Sequence, residues 1–186
     1  MTLARALPLL VALVSVPALA QSTKVPRTAL WIQPIPSLVL GISGVGLYLS
    51  GGVQHALSNH VDVALGLSGY RVLYESSVDQ AIAADVSLVF RPFAQRALTS
   101  FFFALKAGGA HGWGLPTGQP TWMVQVGLDL GWQFVWGPVF FAPVVGVAYL
   151  PVLSGSEDIP FAAMVAPVGA SRFAVNLNLL RLGVAF

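Results

Sequence analysis

The stretch Trp122–Phe134 reads W-M-V-Q-V-G-L-D-L-G-W-Q-F, and its parity decides the fold. Trp122, Val124, Val126, Leu128, Leu130, Trp132 and Phe134 occupy every even position and are large and apolar. Between them stand Met123, Gln125, Gly127, Asp129, Gly131 and Gln133, polar or small apart from Met123. Side chains on a strand alternate faces with period two, so a strand here has one apolar face and one polar or empty face. A helix would line up Gln125, Asp129 and Gln133, but it would place Gly127 and Gly131 in its interior at about 1 kcal/mol each, and it gives no reason for the parity of bulk. The apolar face must meet either a second sheet, as in a soluble sandwich, or lipid, as in a membrane barrel whose polar face lines the inside.

Composition favours the second solvent. Of 186 residues, 9% are charged and 56% hydrophobic, against about 25% charged in an ordinary soluble domain. A net charge of +2 with scattered Lys and Arg leaves no basic footprint for nucleic acid. With no cysteine there is no disulfide, thiolate metal site, Cys nucleophile or lipoprotein anchor. Nineteen Gly and thirteen Pro imply many turns and speak against long helices.

Residues 1–20 read as a cleavable export signal: Arg5, an apolar core over Leu7–Val16, and Ala18-Leu19-Ala20 as a small-x-small cleavage site. The core is short for a membrane span of about 20 residues and contains Pro8. Residues 21–28 form a polar lead-in, and 29–186 the barrel. The uncharged runs Thr28–Val61 and Leu130–Ser156 are too densely broken by Pro and Gly for spanning helices, and divide into strands of about ten residues.

Eight strands are predicted: Leu30–Gly41 (irregular at Pro34 and Pro36), Val45–His55, His60–Tyr70, Ala84–Phe93, Leu98–Ala107, Trp122–Phe134, Val139–Leu150 and Ala174–Phe186. The fold class is therefore all-β, an eight-stranded antiparallel up-and-down transmembrane β-barrel. The links Ala56–Asn59, Ala94–Ala97 and Val135–Pro138 are short, whereas Arg71–Ala83, Gly108–Pro120 and Pro151–Phe173 are long. That alternation suits tight periplasmic turns and longer outer loops. Trp122 and Trp132 lie ten residues apart on one face, about 33 Å along a strand and about 25 Å in height at a tilt near 40°. Phe93, Phe134 and Trp136, with Phe140 and Phe186, are placed at the periplasmic rim of an aromatic girdle, and Tyr70, Trp122 and Tyr149 at the outer rim.

The chain ends A-V-N-L-N-L-L-R-L-G-V-A-F, with Leu180, Leu182 and Val184 alternating up to the terminal Phe186. This resembles the C-terminal assembly signal of bacterial outer-membrane barrels, and the mature chain resembles the small eight-stranded barrels of the OmpA, OmpX and OmpW type. Val86–Phe93 (V-S-L-V-F-R-P-F) and Gly52–His60 (G-V-Q-H-A-L-S-N-H) are similar to uncharacterised relatives of that group. The resemblance implies a bacterial outer-membrane location, partnership with outer-membrane lipid and the barrel assembly machinery, and a monomer. Asn176 and Asn178 depart from the pattern by falling on the lipid-facing parity, which places them above the membrane or requires a bulge in that strand.

By parity Asp62, Arg91, Lys106, Asp129 and Arg181 point inward, with Gln54, Gln125 and Gln133. Asp62 and Arg91 fall at the same end of adjacent strands, and Asp129 and Arg181 at similar heights across the lumen. An eight-stranded barrel is narrow enough for side chains to fill it, and buried charges there must pair. Balanced signs suit a plug better than a selective pore. His55 and His60 flank one turn and His111 lies in a Gly-rich outer loop, too few for a metal site, so no metal or cofactor is expected. The His-x-Ser pairing of barrel lipases is absent, and Ser154, Ser156, Glu157 and Asp158 have no His beside them, so no catalytic residues are assigned. The expectation is a non-enzymatic barrel with a plugged or narrow lumen and a structural or surface-interaction role through its outer loops. A passive transporter of small, mostly apolar solutes and a lipid A-modifying enzyme stand as the alternatives.

Overall fold

The structure, a computed structural model, describes residues 25–43, 46–73, 78–113, 120–155, 165–167 and 172–186. The proposed signal, Asn176 and Asn178 as side chains, and most of the last loop, including Ser156, Glu157 and Asp158, lie outside what it describes.

Eight antiparallel strands close into an up-and-down barrel in sequence order. They are β1 (Thr28–Ile32), β2 (Gly46–Ala56), β3 (Val61–Leu73), β4 (Val78–Phe90), β5 (Ser100–Trp113), β6 (Thr121–Trp136), β7 (Val139–Tyr149) and, last in the chain, β10 (Phe173–Ala185). Two short strands, β8 (Val152–Ser154) and β9 (Val165–Pro167), pair with β6 and β10. Closure is made by β1 against β10, from Ala29↔Ala185 to Ile32↔Leu182. Among the described residues no helix is long and apolar enough to cross a membrane.

The period-two pattern of the opening stretch is realised along β6. Thr121, Met123, Asp129 and Gln133 are buried inside, whereas Trp122, Val126, Leu128, Leu130, Trp132, Phe134 and Trp136 are exposed on the outer wall. β7 alternates without exception from exposed Val139 to exposed Tyr149. The outward residues of Val61–Leu67, Ile82–Phe90, Phe101–Leu105 and Val139–Tyr149 include no charged side chain.

Three expectations are corrected. Pro34 and Pro36 do not roughen a strand: β1 stops at Ile32, and Pro34–Ile42 forms a helix, α1. Two prolines at alternate positions would remove two ladder donors from one strand edge, whereas the first turn of a helix has N–H groups without intrahelical partners anyway. Because β1 is short, Gly46–Ser50 of β2 pair with β3 on one side only, apart from a Gln33 N–H to Ser50 carbonyl bond of 3.0 Å. α1 packs there, against β2 and β10, and completes the wall.

The second correction concerns the loops. β3 runs on to Leu73 and β4 begins at Val78, with pairs from Tyr70↔Ala81 to Leu73↔Val78, and β5 continues to Trp113. Only 74–77 and 114–120 are left as links where longer loops were expected, and the remaining long connection carries β8 and β9. Polar residues such as Arg71 and Gln80, which are paired, mark where the apolar band ends, which is not where the strands end. The 16 residues of β6 span about 53 Å, so the β3–β6 side of the barrel stands tall while the β1 side is low.

Third, the register of β10 shifts between Asn178 and Arg181. Asn176 is opposite Gly146 and Asn178 opposite Val144, on the inward parity, and Arg181 is opposite Ala142, also inward. One extra residue lies in the strand between Asn178 and Arg181, the bulge that stands as one of the two options above.

Candidate functional site

The lumen is the candidate site, and it divides into a filled lower half and a hollow upper half. Here "lower" is the end that carries the turns 57–60, 91–99 and 137–138. A core of Ala29, Trp31, Ala56, Ala64, Val89, Phe102, Ala104, Phe140, Ala142 and Val144 fills the lower half. The β4–β5 turn folds into it: Ala97 and Leu98 are buried, Leu98 fully, although its φ of 60° lies in the left-handed region. That conformation costs a non-glycine residue about 1–2 kcal/mol, which is of the order that burying a leucine side chain returns. Leu98 is a stopper in the lower mouth.

Arg91 holds the stopper in place. Its Nε donates to Asp62 Oδ2 at 2.6 Å, its Nη2 to Gln133 Oε1 at 2.7 Å, and its Nη1 to the carbonyls of Thr99 and Ser100 at 3.1 and 3.4 Å. Gln54 Nε2 donates to the same Asp62 oxygen at 2.7 Å, and the guanidinium lies 5.1 Å from the Phe102 ring centre. Arg91 and Asp62 are both fully buried. A charge so enclosed is tolerated because its donors are met by a carboxylate, an amide and two backbone carbonyls.

A second group sits higher. Asp129 Oδ2 accepts from Arg181 Nη2 at 3.2 Å and from Lys106 Nζ at 3.3 Å. Arg181 also stacks on Trp31, 4.8 Å from the ring centre. Asp129 lies over Gly146, directly opposite it on β7; a Cβ there would overlap Asp129 Oδ1. The Asp129→Asn protein is expected to lose about 3 kcal/mol of stability, because two cations would be left inside without a counter-charge. Denaturant unfolding in micelles reads this directly; an unchanged midpoint would show that the group contributes nothing.

All five charged residues singled out from the sequence thus face inward, in two groups: Asp62 with Arg91, and Lys106 and Arg181 with Asp129. Parity also held a sixth, Asp85, that the sequence reading did not pick out. It lies inside β4 on the parity of Arg91, and its one described hydrogen bond is from Ser87 Oγ at 3.4 Å. Above the Asp129 group, a cavity of about 80 Å³ is lined by residues that include Asp85, Lys106, Arg181, Tyr48, Ser68 and Gln125.

Among the aromatics, Phe93, Trp122, Trp132, Phe134, Trp136 and Tyr149 are exposed on the outer surface, as is the terminal Phe186. A lower row of ring contacts links Phe90 with Phe103, Phe101 with Trp132, and Trp132 through Phe134 to Phe141. An upper row holds Trp113, His111 and Trp122, and Tyr149 with Phe173. Two assignments are corrected. Tyr70 is not on the girdle: it shares the even parity of Asp62 and is buried in the lumen with Tyr48, Val72 and Ala81. Phe140 likewise faces inward and is buried. Leu182 and Val184 pair with Phe141 and Val139, whose side chains are exposed on the outer face, and Leu180 is half-buried.

The histidines have local duties. His55 Nδ1 is 2.9 Å from Thr28 Oγ1, and His60 Nδ1 is 2.9 Å from the Arg91 carbonyl oxygen. His111 is not in a loop but in β5, its ring 4.1 Å from that of Trp122. Among the described residues no three His, Asp or Glu side chains converge.

The geometry defines a closed eight-stranded up-and-down β-barrel whose lumen is filled by side chains in its lower half and holds a cavity above. Compared with protein-family models, with curated proteins and with solved structures, the chain matches none.

Proposed function

We propose that this barrel resides in a bacterial outer membrane, is closed to solutes, and serves a structural or surface-interaction role without catalysis. The observation that carries the reading is the outer wall: among the described residues it is apolar and uncharged through its middle, and it is bordered by two rows of aromatic rings. Those rows are about 25 Å apart in height on a tilted strand, the thickness of the apolar band of such barrels. An exposed apolar surface of this extent is untenable in water for a monomer. The reading of residues 1–20 as an export signal and the terminal pattern Leu180, Leu182, Val184, Phe186 support the same location and handling by the barrel assembly machinery. Outer-membrane lipid is the surrounding partner, and the barrel, having no open sheet edge along its closed part, acts as a monomer.

Closure is supported by Leu98 and the Arg91 group, which are fully buried in the lower half of the lumen. The surface role then falls to the tall β3–β6 wall and the connections it carries.

Reconstitution tests both parts. In vesicles with brominated acyl chains, a variant retaining only Trp132 is expected to be strongly quenched and one retaining only Trp31 to be unaffected. Equal quenching of the two would overturn the membrane reading. In planar bilayers no discrete current steps are expected; steps would overturn closure and favour transport.

A further inference from the structure

Among the described residues, three carboxylates and three cations face the lumen, yet they are not matched one to one. Arg91 takes Asp62, and both Lys106 and Arg181 take Asp129. Among the described residues, no cation lies within ion-pair distance of Asp85. The imbalance is built into the register. Asp85 is opposite Gly108 and Asp129 is opposite Ala104, so Lys106, midway between Gly108 and Ala104 on β5, stands diagonal to both carboxylates. Its ammonium goes to Asp129, where Arg181 already is.

Among the described residues, Asp85 is therefore the charged group of the cavity without an ion-pair partner. The Lys106 and Arg181 side chains are 6% and 15% exposed and spend donors on Asp129. Asp85 is only half-buried. It lies over Gly66, where a Cβ would sit 2.7 Å from Oδ2. Around it the cavity presents the hydroxyls of Ser50 and Ser68, which are directly paired, and the rings of Tyr48 and Tyr70. Ala81, Ala83 and Ala110 leave the space open.

We propose that this cavity is a binding site for a small primary ammonium compound, with Asp85 as its counter-ion. Three N–H donors match one carboxylate and the neighbouring hydroxyl oxygens, and aromatic faces favour a cation with an organic body. A bare metal cation would need more oxygens than these and, being strongly hydrated, gains nothing from the rings. A carboxylate ligand would meet Asp85 as a like charge. The site goes beyond the structural role proposed above and does not depend on the membrane that surrounds the barrel.

The test is calorimetric titration of the refolded protein in micelles with ethylammonium chloride, against potassium chloride and sodium acetate at equal ionic strength. Saturable one-to-one binding of ethylammonium alone is expected. Asp85→Asn should weaken it by about tenfold or more, the effect of losing one charge-assisted hydrogen bond. Because Asp85 has no cation to abandon, D85N should keep the heat-modifiable mobility of the folded barrel. Ala83→Val, which narrows the cavity and leaves the carboxylate in place, should also abolish binding, and it stands in if D85N does not refold. No saturable binding, an equal response to potassium, or undiminished binding in both variants would overturn the site.

Discussion

Arg91→Ala is expected to lower the unfolding free energy by about 3–5 kcal/mol, the range for leaving one partner of a buried ion pair alone. Asp62 would stay fully enclosed with only Gln54 donating to it, and Gln133 would lose the donor to its amide oxygen. The β4–β5 turn would also lose the two bonds that pin the Thr99 and Ser100 carbonyls, while Leu98 would still need its left-handed backbone. The cycle with Asp62→Ala separates these terms. If the pair dominates, the double variant is little worse than R91A alone; if the turn dominates, the two losses add. The measurement is denaturant unfolding in micelles, and a loss below about 1 kcal/mol would show that Arg91 is solvated rather than enclosed.

Gly146→Val is expected to cost a similar amount, about 3–5 kcal/mol, from a residue that carries no charge at all. A Cβ at Gly146 overlaps Asp129 Oδ1 and comes within 2.8 Å of the Leu128 carbonyl oxygen. The backbone cannot yield without breaking the β6–β7 ladder, so Asp129 must leave its seat and with it both Lys106 and Arg181. Gly137 supplies the control. It has open space around it but a φ of 60°, so Gly137→Ala should cost only about 1 kcal/mol, from backbone strain alone. Matching losses at the two positions would mean that Asp129 is not held by close packing.

The residues that spoke clearly in the sequence were those governed by parity. Asp129 between Leu128 and Leu130 can only face inward once the strand is granted, and the same holds for Asp62, Arg91 and Lys106. Asp85 obeyed the same rule and was missed because Ala81, Ala83 and Ala84 around it alternate nothing visible. Tyr70 was misplaced because an aromatic near a strand end looks like a rim residue whichever way it points; counting parity from Asp62 would have turned it inward. Pro34 and Pro36 announced an irregularity without its kind, since the same residues suit a ragged strand and the first turn of a helix. The strand ends were obscured because hydropathy reports the apolar band, and β3 to β6 continue beyond it. The closure by Leu98 was invisible: nothing in A-L-T announces a left-handed leucine turned into the mouth.

The four residue pairs that join β1 to β10 set the timing of assembly. They tie Ala29 to Ala185, positions separated by nearly the whole chain, so the entropy of closing so long a loop, about 4–5 kcal/mol beyond a constant term, falls on a seam only four pairs deep. The walls from β1 to β7 join strands consecutive in sequence, and β7 meets β10 across the connection that carries β8 and β9, so each closes a far shorter loop. The seam cannot begin until Leu182–Ala185 are present, so ring closure is expected to be the slowest of the pairings, and time-resolved refolding in micelles of a variant weakened at Leu182 reads it.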